Sequence, residues 1–137
     1  MGRITVEVEL SNGEDLVLAK KGVLAPDKVR RLRVAGLVDS GACYLVLPES
    51  IVLQLGLPEK GQTAVRYADR RTETRKVVSQ VYLELLGRDG TFKAIVEPGR
   101  TDALIGAIVL EDLDLLVDCR TQTLQPRDPK GIIAEIE

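Results

Sequence analysis

The sequence predicts a mostly-β barrel or sandwich made of one domain. Three observations carry this reading. Short runs of alternating apolar and polar residues recur along the chain, turn residues separate them, and only two brief stretches look helical. The length of 137 residues suits one compact domain, and 45% hydrophobic residues can fill its core.

The first element is the clearest. Ile4, Val6, Val8 and Leu10 alternate with Thr5, Glu7 and Glu9, a half-buried strand that runs into the turn Ser11-Asn12-Gly13. Leu16 to Ala19 reads as the returning strand. Val34 to Val38 is wholly apolar and suits a strand buried on both faces. After Asp39-Ser40-Gly41-Ala42 the apolar pattern resumes over Tyr44 to Leu47. Pro48 and Glu49 then open a short helix, which Gly56 can end in the left-handed conformation.

Thr63 to Tyr67 and Thr72 to Leu86 read as strands flanking the reversal Ala68-Asp69-Arg70-Arg71. Gly87-Arg88-Asp89-Gly90 reads as a turn into a strand over Thr91 to Glu97, which Pro98-Gly99 breaks. Ala103 to Leu113 reads as a short strand running into a helix. Leu115 to Cys119 and Thr121 to Gln125 read as further strands, and Gly131 to Glu137 as a short alternating tail.

Composition narrows the chemistry. There are 19 basic and 21 acidic residues, a net charge of −2, so no global basic field calls for nucleic acid. Three Tyr, one Phe and no Trp make a poor stacking platform for single strands. No His is present, which removes Ser-His-Asp and Cys-His catalysis and any histidine metal site. Carboxylates are left as the best candidates for chemistry.

Cys43 and Cys119 have no CxxC spacing and read as buried small hydrophobes, with one disulfide as the alternative; no metal or cofactor is expected. Gly2 follows Met1, but Val6 stands where an acylation signal wants Ser or Thr. With no signal-peptide pattern and no apolar run near the length of a membrane span, the chain reads as soluble and cytoplasmic.

Two acidic residues lie in apolar surroundings. Asp118, between Val117 and Cys119, reads as a turn residue accepting a backbone hydrogen bond. Asp39 ends an apolar run and is followed by Ser40, Gly41 and Ala42, so a carboxylate is presented on a tight turn that another backbone can approach. That arrangement suits catalysis or a simple cap.

The stretch Leu37-Val38-Asp39-Ser40-Gly41-Ala42, with Leu45-Val46-Leu47-Pro48 and a short helix to Leu57, resembles the active-site segment of retropepsin-like aspartic proteases. A second block, Ala103-Leu104-Ile105-Gly106 with Leu110-Glu111-Asp112-Leu113 and Leu115 to Asp118, resembles that family's hydrophobic-hydrophobic-Gly motif, helix and closing strand. The two blocks come in the family's order with a candidate flap hairpin between them, so the resemblance covers about residues 1–125.

The resemblance implies a closed single-lobe β-barrel with short helices, active as a two-fold homodimer. The domain would span residues 1–128, and the tail 129–137 would add strand area at the dimer interface through Ile132, Ile133 and Ile136. Asp39 would be the catalytic carboxylate of an endopeptidase, paired with its copy so that one proton is shared while a water is activated. Ser40, Gly41 and Ala42 would complete the active-site loop. Gly106 would pack beneath that loop, with Leu104 and Ile105 in the core. Tyr67, Ala68, Asp69, Arg70 and Arg71 would form the flap over a peptide or unfolded protein substrate.

The family hairpin carries Gly near its tip, and this one has none. Arg70 and Arg71, with Arg66, Arg75 and Lys76 in the same stretch, read as a solvated hairpin or as a clamp for acidic substrates, and Lys28, Arg30, Arg31 and Arg33 as an exposed strand face. Two other classes stand beside the peptidase. One is the same fold without useful catalysis, as a dimerisation or peptide-binding module. The other, nucleic-acid binding through the basic clusters, is disfavoured by charge and aromatic content.

Overall fold

The computed structural model describes residues 3–137; Met1 and Gly2, including the Gly2 position weighed for acylation, lie outside the described residues. The strands are β1 (Ile4–Asn12), β2 (Arg31–Val38), β3 (Leu45–Pro48), β4 (Glu59–Arg66), β5 (Thr72–Leu85), β6 (Arg88–Glu97), β7 (Ala103–Ile105), β8 (Leu115–Asp118) and β9 (Thr123–Pro126). The helices are α1 (Gly13–Lys20), α2 (Glu49–Leu55) and α3 (Ala107–Asp112), with a 3₁₀ turn at Pro26–Lys28.

The sheet order is β1-β2-β7-β3-β6-β5-β4, and β1 also pairs with β5. That extra pairing closes six strands into a barrel and leaves β4 outside as an arm. The barrel resolves the choice between barrel and sandwich. Val8, Leu10, Leu45, Leu47, Val81, Leu83 and Ile105 fill its interior. In β1 the even residues turn inward and Thr5 and Glu7 face out, as the alternation requires. Among the described residues no helix is long and apolar enough to cross a membrane.

Four readings need correction. Leu16 to Ala19 is not a returning strand but part of α1. Asn12 caps that helix by accepting the Asp15 N–H at 3.0 Å, Glu14 and Asp15 sit in its first turn and Lys20 in its last. These end signals outweigh a short apolar run.

The reversal after β5 is Leu86-Gly87, both at positive φ (52° and 78°), and Arg88 already belongs to β6. Two such residues fit a two-residue hairpin turn. Placing it there keeps Leu83, Leu85, Phe92, Ala94 and Val96 inward; a slip by one would turn them out. The segment Val34 to Val38 is covered on one face only, with Ala35 exposed. Cys43 and Cys119 are exposed free thiols rather than core residues, since both stand on loops.

Asp15 is the fold's buried acid. Arg30 donates to it three times: from its backbone N–H at 3.0 Å, from Nε at 2.8 Å and from Nη2 at 3.0 Å. Arg30 stays on the exposed basic face expected of it, its side chain 50% exposed, while its guanidinium reaches back to Asp15. The Arg30 side-chain hydrogen bonds hold the Asp15 carboxyl below its ordinary value of 3.8, against burial, which raises it.

A carboxyl lowered by folding stabilises the fold above its unfolded value and loses that contribution as pH falls through the folded one. Asp15→Asn should therefore cost about 2 kcal/mol at neutral pH. The gap to wild type should narrow on acidification below 3.8. Urea melts across that range check it, and a gap that stays constant counts against the ion pair.

Candidate active site

The Asp39 loop joins β2 to β3 and is held from below. The Asp39 N–H donates to Ile105 O at 3.0 Å, Ala107 N–H to Ala42 O at 2.8 Å and Ile108 N–H to Cys43 O at 2.9 Å. These bonds tie the loop to the strand end of β7 and the start of α3. Gly106 is the close approach between them. A Cβ there would lie 2.9 Å from Ala42 O and closer still to the Tyr44 carbonyl, so only glycine fits. Gly106 packs beneath the loop as expected. Ile105 is fully buried, whereas Leu104 is half-buried and faces the cleft.

Within the loop, Asp39 Oδ1 accepts the Gly41 N–H at 2.9 Å and Asp39 O accepts the Ala42 N–H at 3.2 Å. The turn points the carboxylate outward, and Asp39 and Ser40 are both exposed. Asp39 opens onto a cleft of about 720 Å³. Its floor is apolar, with Ala42, Val46, Ile95 and Leu104, and Tyr44, Glu97 and Arg100 complete the wall. Thr63 to Ala68 of the β4 side cover it. The structure thus brings Asp39, Gly41, Ala42, Leu104, Tyr67 and Ala68 to one cavity. Ser40, Asp69, Arg70 and Arg71 do not line it.

The hairpin tip explains how a Gly-free sequence makes this turn. Tyr67 O accepts the Arg70 N–H at 2.9 Å and Tyr67 N–H donates to Arg71 O at 2.9 Å, so the loop has three residues and its last, Arg70, sits at φ 69°. That position commonly goes to Gly. Asp69 Oδ1 steadies it by accepting the Arg71 N–H at 3.0 Å. Arg70→Gly should stabilise the hairpin by up to about 1 kcal/mol, because a side chain in the left-handed region costs about that much. Arg70→Ala should give no such gain. Amide exchange of residues 63–76 in both variants checks this.

No protein-family model and no curated protein matches the chain. The site is therefore read from its own geometry. Glu97 is a member that local sequence reading missed, and Arg75 stands in that reading only among the basic residues of the hairpin. Arg75 Nε donates to Glu97 Oε1 at 2.9 Å and to Tyr67 Oη at 2.9 Å, while Tyr67 Oη donates to Glu97 Oε2 at 2.6 Å. Arg71 stacks over the Tyr67 ring at 4.6 Å. Burial first, then the Glu97 hydrogen bond, pushes the Tyr67 hydroxyl pKa up. Only the strand register brings these distant positions together, so no local pattern announces them.

Asp118 takes the turn role expected of it. Its Oδ1 accepts the Arg120 N–H at 2.9 Å and the Thr121 N–H at 3.2 Å, and these bonds lower its carboxyl pKa. Among the described residues no group of His, Cys, Asp or Glu is gathered to hold a metal ion. Within the cleft the carboxylates are Asp39 and Glu97. Both oxygens of Glu97 are already occupied by Arg75 and Tyr67.

Proposed function

We propose that the chain is an aspartic-type endopeptidase, resembling the retropepsin-like family, that cleaves a peptide or an unfolded protein segment as a two-fold homodimer. One observation carries the reading: Asp39 stands exposed at a peptide-sized cleft on a loop braced from beneath, and the cleft offers no second uncommitted carboxylate. Hydrolysis by a carboxylate pair needs one member ionised as base and one protonated as acid. A second copy related by a two-fold axis would supply the missing Asp39. One carboxylate would then take a proton from water as the water attacks the scissile carbonyl. The other would give its proton to the carbonyl oxygen.

Ile132, Ile133 and Ile136 are exposed in the single chain and would offer apolar area to the second copy. The test pairs sedimentation at tens of micromolar, roughly where modest homodimers form, with a diverse peptide library at several pH values. Dimer and cleavage together support the reading. Peptide binding without cleavage favours a binding module of the same fold, and a strict monomer removes the paired-carboxylate chemistry.

A further inference from the structure

The β4–β5 hairpin is an arm whose outer half, among the described residues, is tied to the barrel wall by side-chain hydrogen bonds at Glu97. From Val77 onward β5 pairs with β6, and from Val81 it also closes the barrel against β1. Its Thr72 to Lys76 half pairs with β4 alone, opposite Gln62 to Arg66. Both strands are irregular near the root of the arm: the register shifts between Glu59 and Gly61 in β4 and between Val78 and Val81 in β5, where Gln80 has φ 62°. A two-stranded ribbon on its own is marginally stable in water, and bulges bend it. The backbone therefore leaves the tip's height above Asp39 loosely fixed.

Side chains on the inward face fix it. Thr63, Val65 and Tyr67 alternate with outward Ala64 and Arg66, and Arg75 lies opposite Thr63 on the inward face. Tyr67 and Arg75 converge on Glu97, each within hydrogen-bond distance of it and of each other. Glu97 is a firm post, since it ends β6 where that strand pairs with Pro48 of β3. The Arg75 and Glu97 side chains are only 22% and 20% exposed, so solvent screens the pair incompletely.

We infer that Glu97 is the positioning residue of the flap: through Arg75 and Tyr67 it holds the hairpin over Asp39 at the height a peptide needs. This rests on the proposed peptidase activity only for its effect on turnover; the mechanical part stands by itself. Arg71, stacked on Tyr67, covers the tie from the outside.

The experiment measures amide exchange and peptide cleavage in Glu97→Ala, Glu97→Gln and Tyr67→Phe. In Glu97→Ala, amides of residues 62–76 should exchange about tenfold faster while those of β1 and of Val81 to Leu85 stay at wild-type rates, the loss being a local set of charge-assisted bonds. KM should rise by about tenfold with a much smaller change in kcat, because the chemistry of Asp39 is untouched. Glu97→Gln keeps one of the two acceptor oxygens and should recover part of both effects, and Tyr67→Phe, which keeps the Arg75–Glu97 pair, should lose less than Glu97→Ala. Uniform exchange changes across the barrel, or none, would overturn the inference. If the wild type cleaves no peptide, the peptidase reading fails and the exchange pattern alone decides the tie.

Discussion

On the proposed peptidase reading, Asp39→Asn should lower peptide cleavage by at least about 10³-fold, since it would remove the acid–base group itself. Stability should hardly move. Asp39 is exposed, and its side-chain hydrogen bond is the one accepted from the Gly41 N–H, which an Asn oxygen can also accept. Wild-type activity should favour acidic pH, because the pair works with one shared proton. Mixing wild type and variant in equal amounts gives a sharper result. If chains exchange freely and both Asp39 groups are needed, activity falls to about one quarter, the share of all-wild-type dimers. A fall to one half would mean that each chain works alone.

Gly106→Ala should damage both stability and turnover. The added Cβ meets Ala42 O and Cys43 C at 2.9 Å, and both belong to backbone whose carbonyls are bonded to the start of α3. Neither side can yield without breaking those bonds. Overpacking of this kind costs up to about 3 kcal/mol, near 10 °C in melting temperature for a domain of this size. A shift of about 1 Å in the Asp39 loop should also cost about 10²-fold in rate. Gly61→Ala is the control, because no atom lies within 4 Å of its added Cβ. Thermal melts and kcat/KM of both variants check the contrast; equal effects would deny the close approach its importance.

The elements that could be read from the chain were those set by local chemistry. The alternation of Ile4 to Leu10, the helix opened by Pro48 and closed by Gly56 at φ 60°, and the Asp118 turn all depend on near neighbours. The Asp39 turn and the reversal at Ala68 to Arg71 were visible for the same reason. What escaped depended on distant partners or on competing short signals. Leu16 to Ala19 looked like a strand until the Asn12 cap decided for helix. Gly87-Arg88-Asp89-Gly90 looked like the turn, but burial of Leu83, Leu85 and Phe92 set the reversal one residue earlier, at Leu86-Gly87. The pairing of Arg30 with Asp15 gave no local sign, because Asp15 is fifteen positions away. Glu97 gave no sign at all, since its partners are brought to it by strand pairing.

The place of β7 between β2 and β3 also sets when the molecule is complete. On a ribosome the segment holding Asp39 emerges long before Ala103–Ile105, yet its N–H needs Ile105 O and its loop needs the backbone of Ala107 and Ile108. Pairings so far apart in sequence form late, after the local strands and helices. A half-made chain therefore carries Asp39 on an unsupported loop beside an open barrel seam. On the peptidase reading, such a chain is harmless to its neighbours on the same message. On that reading the cutting edge would be sharpened only once the segment through Ile108 has left the tunnel, and the topology itself would act as a safety catch during synthesis.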